Sequence, residues 1–130
     1  GIQVYVDWLD EAMPKVTSGS TAIRIKEKIK ENDKFILLAT EGAINSKWCN
    51  WELGLGDAAK YVSNIAILPV KRDYSVFSGS EYLEIYPYIY EIDYYQYFNG
   101  HFLNVGIYVV FPYLNGSYRI VSLKDWLGSK

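Results

Sequence analysis

Two uninterrupted apolar runs of strand length, Phe35 to Ala39 (FILLA) and Ile65 to Val70 (IAILPV), constrain this chain more than any other feature. A strand with one wet face alternates apolar and polar residues, whereas a continuous run suits a strand covered on both faces, as in a parallel sheet between helices. The segments around the runs fit that picture. Ile2 to Trp8 (IQVYVDW) alternates Ile2, Val4 and Val6 with polar or aromatic neighbours and reads as a strand. Leu9 to Ser20 contains Pro14 and Ser-Gly-Ser and reads as a loop. Ser20 or Thr21 then caps an amphipathic helix to about Glu31, with Ala22, Ile25 and Ile29 on its apolar face. A second helix spans Asn45 to Val62, with Ser46 as its N-cap. The order strand, helix, strand, helix, strand predicts an α/β domain with right-handed crossovers. Such a sheet collects the C-terminal strand ends, near Asp7, Thr40 and Lys71, along one ligand-binding edge.

Beyond Lys71 the reading predicts a short helix around Glu81 to Ile85, stopped by Pro87. Ile107 to Phe111 and Tyr118 to Val121 flank an Asn115-Gly116 pair, a hairpin signal, and Leu123 to Leu127 reads as a final helical turn. At 130 residues and 50% hydrophobic, residues 1–130 form one domain.

Composition excludes several functions. Thirteen basic against fifteen acidic side chains leave a formal charge of −2, without the electrostatic footprint of a nucleic-acid binder. One cysteine, Cys49, and one histidine, His101, exclude an internal disulfide and a His/Cys metal centre. No apolar run of about 18 residues or secretory leader pattern is present, so a cytoplasmic protein without a membrane partner is expected.

The helix after the first apolar run carries the chemistry. Trp48, Glu52, Leu55 and Ala59 are spaced 4, 3 and 4, which places them on one stripe. Glu52 stands where that stripe asks for an apolar residue. A partly desolvated carboxylate is costly unless paired, hydrogen-bonded or protonated, so Glu52 is either well partnered or functional. Its place in the second turn, near the strand-end edge, favours function. Trp48, one turn earlier, offers an aromatic wall or plain core packing. Asp7 and Trp8, at a strand end beside the loop, are further site candidates.

Other patterns are weaker. Gly54-Leu-Gly56-Asp-Ala-Ala59 has the letters of a dinucleotide fingerprint but lies inside a helix, where small residues serve close packing. Asn115-Gly116-Ser117 is a glycosylation triplet that the turn already explains. Nothing places Cys49 beside His101 as a catalytic pair. The tyrosine-rich run from Tyr82 to Phe98 covers the core or an interface.

Val4-Tyr-Val-Asp7 before a polar loop, Phe35 to Thr40, Asn45-Ser-Lys-Trp-Cys-Asn-Trp-Glu-Leu53 and Ile65-Ala-Ile-Leu-Pro-Val70 together resemble bacterial Toll/interleukin-1 receptor (TIR) domains. The similarity is to those like the signal-producing subunit of Thoeris anti-phage defence. It is good over residues 1 to about 90; residues 91–130 are a divergent, aromatic-rich part. The resemblance implies a flavodoxin-like, three-layer fold with a central parallel sheet, and a first strand and helix absent from these 130 residues, because the chain opens at the family's second strand. It implies cleavage of NAD by Glu52, with Trp48 in the pocket wall and Leu9 to Ser20 as a gating and assembly loop. The product is ADP-ribose or a cyclic ADP-ribose signal. NAD is then substrate, no metal or separate cofactor is needed, and the partners are further TIR domains, further copies, or an effector that senses the product. The alternative is a non-catalytic TIR module that signals by association alone. A nucleoside-processing enzyme of similar architecture is a third reading.

Overall fold

The computed structural model describes residues 1–6, 18–70, 81–98 and 100–130. Helix α1 (Gly19–Glu31) leads into strand β1 (Phe35–Ala39). A short helix α2 (Glu41–Ile44) and the longer α3 (Lys47–Ala59) connect β1 to β2 (Ile65–Pro69). A 3₁₀ turn over Glu81–Ile85 precedes β3 (Tyr88–Ile92). Then come β4 (Gln96–Phe98), β5 (His101–Leu103), β6 (Gly106–Pro112), β7 (Tyr118–Ser122) and a closing helix α4 (Leu123–Gly128). Five strands form one mixed sheet in the order β1-β2-β3-β6-β7, while β4 and β5 pair separately.

The fold is α/β, compatible with a flavodoxin-like arrangement in three layers. The two apolar runs pair in parallel along their whole length, Phe35 opposite Ile65 through Ala39 opposite Pro69, and β3 adds to β2 in parallel. Parallelism stops there. β6 runs antiparallel to β3, and β7 antiparallel to β6. The Asn115-Gly116 turn closes the β6–β7 pair: Gly116 takes φ +81°, and the Asn115 side chain accepts from the Ser117 backbone N–H at 3.0 Å.

Two apolar clusters flank the sheet. On one face Leu37, Ala39, Ile65 and Ile67 meet Ile44 and Leu53 from α2 and α3, together with Tyr86. On the other, Ala66, Ile89, Val109 and Phe111 meet Trp126 of α4. α1 packs beside α3, burying Thr21, Ile25 and Ile29. The exposed side of α1 carries its lysines, which include the Lys28–Glu31 ion pair at 2.7 Å.

The tyrosine-rich run divides. Tyr86 is buried and Tyr88 half-buried against the first cluster; burial, with the Tyr118 and Tyr90 phenols nearby, pushes the Tyr88 phenol above its ordinary range. Phe98 lies between Tyr90 and Tyr118, at 6.3 and 6.1 Å, and so ties β4 to the main sheet. Tyr95, Tyr97 and Phe102 remain exposed, and the two tyrosines each pack on Phe102.

The N-terminal strand is a correction. Residues 1–6 pair with no strand, and Ile2 and Val4 are 59% and 74% exposed. Alternation makes a segment fit to be a strand, but a ladder partner makes it one. Here the Tyr5 ring sits 5.5 Å from the Lys28 ammonium, against α1 rather than in the sheet. β1 is an edge strand among the described residues, and its Ile36 and Leu38 are partly exposed.

The paired glycines of α3 behave differently. A Cβ on Gly56 would stand 3.1 Å from the Phe35 ring, whereas one on Gly54 meets nothing within 4 Å. This is close helix-to-strand packing, and the mid-helix position excludes a phosphate loop. We expect Gly56→Val to lower stability by about 1–3 kcal/mol through overpacking. Gly54→Ala should raise it by about 1 kcal/mol through helix propensity. Denaturant unfolding of the two variants checks the pair.

Candidate active site

The corner between β1 and α3 is tightly made. β1 ends at Ala39, whose carbonyl accepts from the Val70 N–H at 3.0 Å, so the ends of the two parallel strands stay level. The Thr40 hydroxyl accepts from the Ala43 N–H at 3.0 Å and caps α2. The Ser46 hydroxyl accepts from the Cys49 N–H at 3.4 Å and caps α3. The Asn50 amide donates to the carbonyls of Ile44 and Ser46 at 2.9 and 3.0 Å, which locks the short helix to the long one. The first two turns of α3 are thereby held at the C-terminal end of the parallel strands, where open α/β sheets bind ligands.

Those turns carry Trp48, Trp51 and Glu52. Glu52 is half-buried, as is Trp48 one turn before it. Trp51 meets Trp48 edge to face, with ring centroids 5.5 Å apart and planes at 89°. Trp51 itself is 38% exposed. Sequence reasoning passed over this residue, although its i, i+3 spacing from Trp48 on a helix was the available signal.

The stripe holding Glu52 faces differently from the expectation. The residues of α3 turned into the sheet are Cys49, Leu53 and Gly56. The other stripe looks toward α1: Leu55, Ala58 and Ala59 line a groove with Lys26, Ile29 and Lys30. Glu52 shares that side of α3 at its N-terminal half. It therefore sits at the border of the core, partly shielded from water.

Asp7 and Trp8 lie outside the described residues, as do Lys71 and most of the Leu9 to Ser20 loop, so the proposed gate is not described either. Cys49 packs against the first core cluster, and His101 belongs to β5 of the separate two-stranded sheet. Among the described residues, no group of three or more His, Cys, Asp or Glu side chains could hold a metal ion. Likewise, none of their helices is long and apolar enough to cross a membrane.

A half-buried carboxylate beside an aromatic side chain can do two things for a sugar substrate. It can accept hydrogen bonds from ring hydroxyls and so orient the sugar, and its charge can stabilise a cation developing at the anomeric carbon. No metal is needed for either.

No family model matches the chain, and no solved structure matches it. It is 36% identical over 93 residues to a protein of Bacillus cereus (strain MSX-D12) described as a probable 3' cyclic ADP-D-ribose synthase ThsB'. The match covers 68% of this chain and 47% of the relative, so the chain spans about half the length of the curated protein it resembles.

Proposed function

We propose that this chain is a TIR-type domain that cleaves NAD at the nicotinamide N-glycosidic bond and cyclises the remaining ADP-ribose into a signal, in bacterial anti-phage defence. The observation that carries the reading is Glu52, a half-buried carboxylate in the second turn of α3 at the C-terminal edge of the parallel strands. The 36% identity to a protein named as a cyclic ADP-ribose synthase supports the same reading.

The reaction balances without a cofactor. The bond between the ribose anomeric carbon and the pyridinium nitrogen breaks, and nicotinamide leaves with the electron pair as a neutral base. No general acid is required, because the leaving nitrogen needs no proton. Positive charge builds on the ribose ring, and Glu52 stabilises it while holding the sugar hydroxyls. A nucleophile then bonds to the anomeric carbon. Water gives ADP-ribose and a proton; a hydroxyl of the adenosine ribose in the same molecule gives a cyclic product and a proton, and an adenine nitrogen gives a cyclic product with the positive charge passed to the base. Trp48 forms part of the wall that keeps bulk water from the cation. Asp7 and Trp8 are further candidates for substrate contact, and the partners are further copies of the domain and an effector that reads the product.

The test is incubation of full-length protein with NAD, alone and with lysate from phage-infected cells, and separation of the products by mass spectrometry. Release of nicotinamide with a cyclic ADP-ribose supports the proposal. Intact NAD under both conditions, from folded and assembled protein, would replace it with the non-catalytic association module.

A further inference from the structure

We infer that Trp51 is a positioning residue for the site, acting through Trp48; this rests on the NAD-cleaving reading above. Trp51 belongs to neither apolar cluster of the core. The sheet-facing residues of α3 are Cys49, Leu53 and Gly56, and Trp51 is more than a third exposed. On the helical wheel it lies about 160° from the middle of that buried stripe. On that side of the helix its ring meets Trp48 edge to face at 5.5 Å and 89°. That geometry is the favoured one for an aromatic pair and restricts the rotation of both rings.

The consequence falls on Trp48. Its backbone is fixed by the Ser46 cap and by the Asn50 bonds to the preceding turn, but a helical backbone still permits more than one indole rotamer. Trp51, one turn on, restricts the choice among them through the edge-to-face contact, and Trp48 shares its helical stripe with Glu52 four residues later. A wall held in place before substrate arrives leaves less side-chain freedom to lose on binding. The effect is therefore expected on substrate affinity and not on the chemical step.

Three variants of the full-length protein separate this role from a structural one: Trp51→Ala, Trp51→Leu and Trp51→Phe. An edge-to-face pair has the strength to change affinity by about three- to tenfold. We expect Trp51→Ala and Trp51→Leu to raise KM for NAD by about that factor with kcat within about twofold of the parent, while Trp51→Phe keeps the parental KM. The coupled far-ultraviolet circular dichroism of the two indoles should vanish in all three, which verifies the pair in solution, and melting temperature should move little. An unchanged KM in the alanine and leucine variants of an active parent overturns the inference and leaves the NAD reading standing. So does a phenylalanine variant as impaired as alanine, or an indole signal absent from the parent. A parent that does not turn over NAD, while folded and assembled, removes both.

Discussion

Glu52→Gln is expected to leave a folded protein that releases nicotinamide from NAD about a thousandfold more slowly than the parent, a loss of about 4 kcal/mol of transition-state stabilisation. The substitution keeps the size of the side chain and its capacity to accept and donate hydrogen bonds, and it removes the charge. Because charge develops on the ribose only as the glycosidic bond breaks, kcat should fall far more than KM rises. The site's position adds to the effect: a carboxylate at the core border acts through a medium less screening than bulk water. Nicotinamide release read against the parent, with circular dichroism and melting to verify the fold, checks the result. Parental turnover in a folded Glu52→Gln protein would refute the assignment. Glu52→Ala is the less informative variant, since it also removes the packing and bonding of a half-buried side chain.

Much of the parallel half of this fold is legible in the sequence. β1 occupies Phe35–Ala39 as the apolar run predicts, β2 ends one residue short of it, and α3 begins after the Ser46 cap. These signals are strong because strands covered on both faces and capped helices each carry a local chemical signature. The 3₁₀ turn at Glu81–Ile85, the β6–β7 hairpin and the final helix are also local. What escapes sequence reasoning is set by partners distant in the chain. β3 (YIYEI) is a strand because β2 and β6 flank it, and the tyrosine run gives no periodicity that distinguishes strand from surface cover. Ile2 to Val6 has the alternation but pairs with no strand.

The orientation of α3 was hidden for a different reason. Two stripes compete on that helix, and the true sheet-facing one contains Gly56, which counts for nothing in an apolar pattern. Gly56 is there because the Phe35 ring occupies the space a side chain would need. The motif spacing from Trp48 to Glu52 survives the correction, since it depends only on the helix being a helix. Its surroundings do not: Glu52 borders the core instead of interrupting it, and Trp51 becomes its neighbour.

The largest stability effect should come from the far side of the sheet. Trp126 is 2% exposed and is the bulkiest of the fully buried side chains. The Ser122 hydroxyl caps its helix by accepting from the Asp125 N–H at 3.1 Å. One turn of helix then drives the indole between Ala66, Ile89, Val109 and Phe111, across strands β2, β3 and β6. Its polar edge is satisfied too, since Nε1 donates to the Ser63 carbonyl at 2.7 Å, and the Lys34 ammonium stands 5.0 Å from the ring. Trp126→Ala therefore removes a large ring from a dry site, leaves a cavity, and orphans the Ser63 carbonyl. The expected cost is about 3–5 kcal/mol, against a total of about 5–15 kcal/mol for an ordinary domain. Melting should fall by about 10–20 °C. Trp126→Phe keeps most of the apolar volume and loses the hydrogen bond, so it should cost about 1–3 kcal/mol. The difference between the two variants isolates packing from bonding. It also bears on the architecture, because α4 is only six residues long and the face it covers includes the buried side of β2. A Trp126→Ala protein unfolding within about 1 kcal/mol of the parent would mean that α4 is not what closes the second face of the sheet.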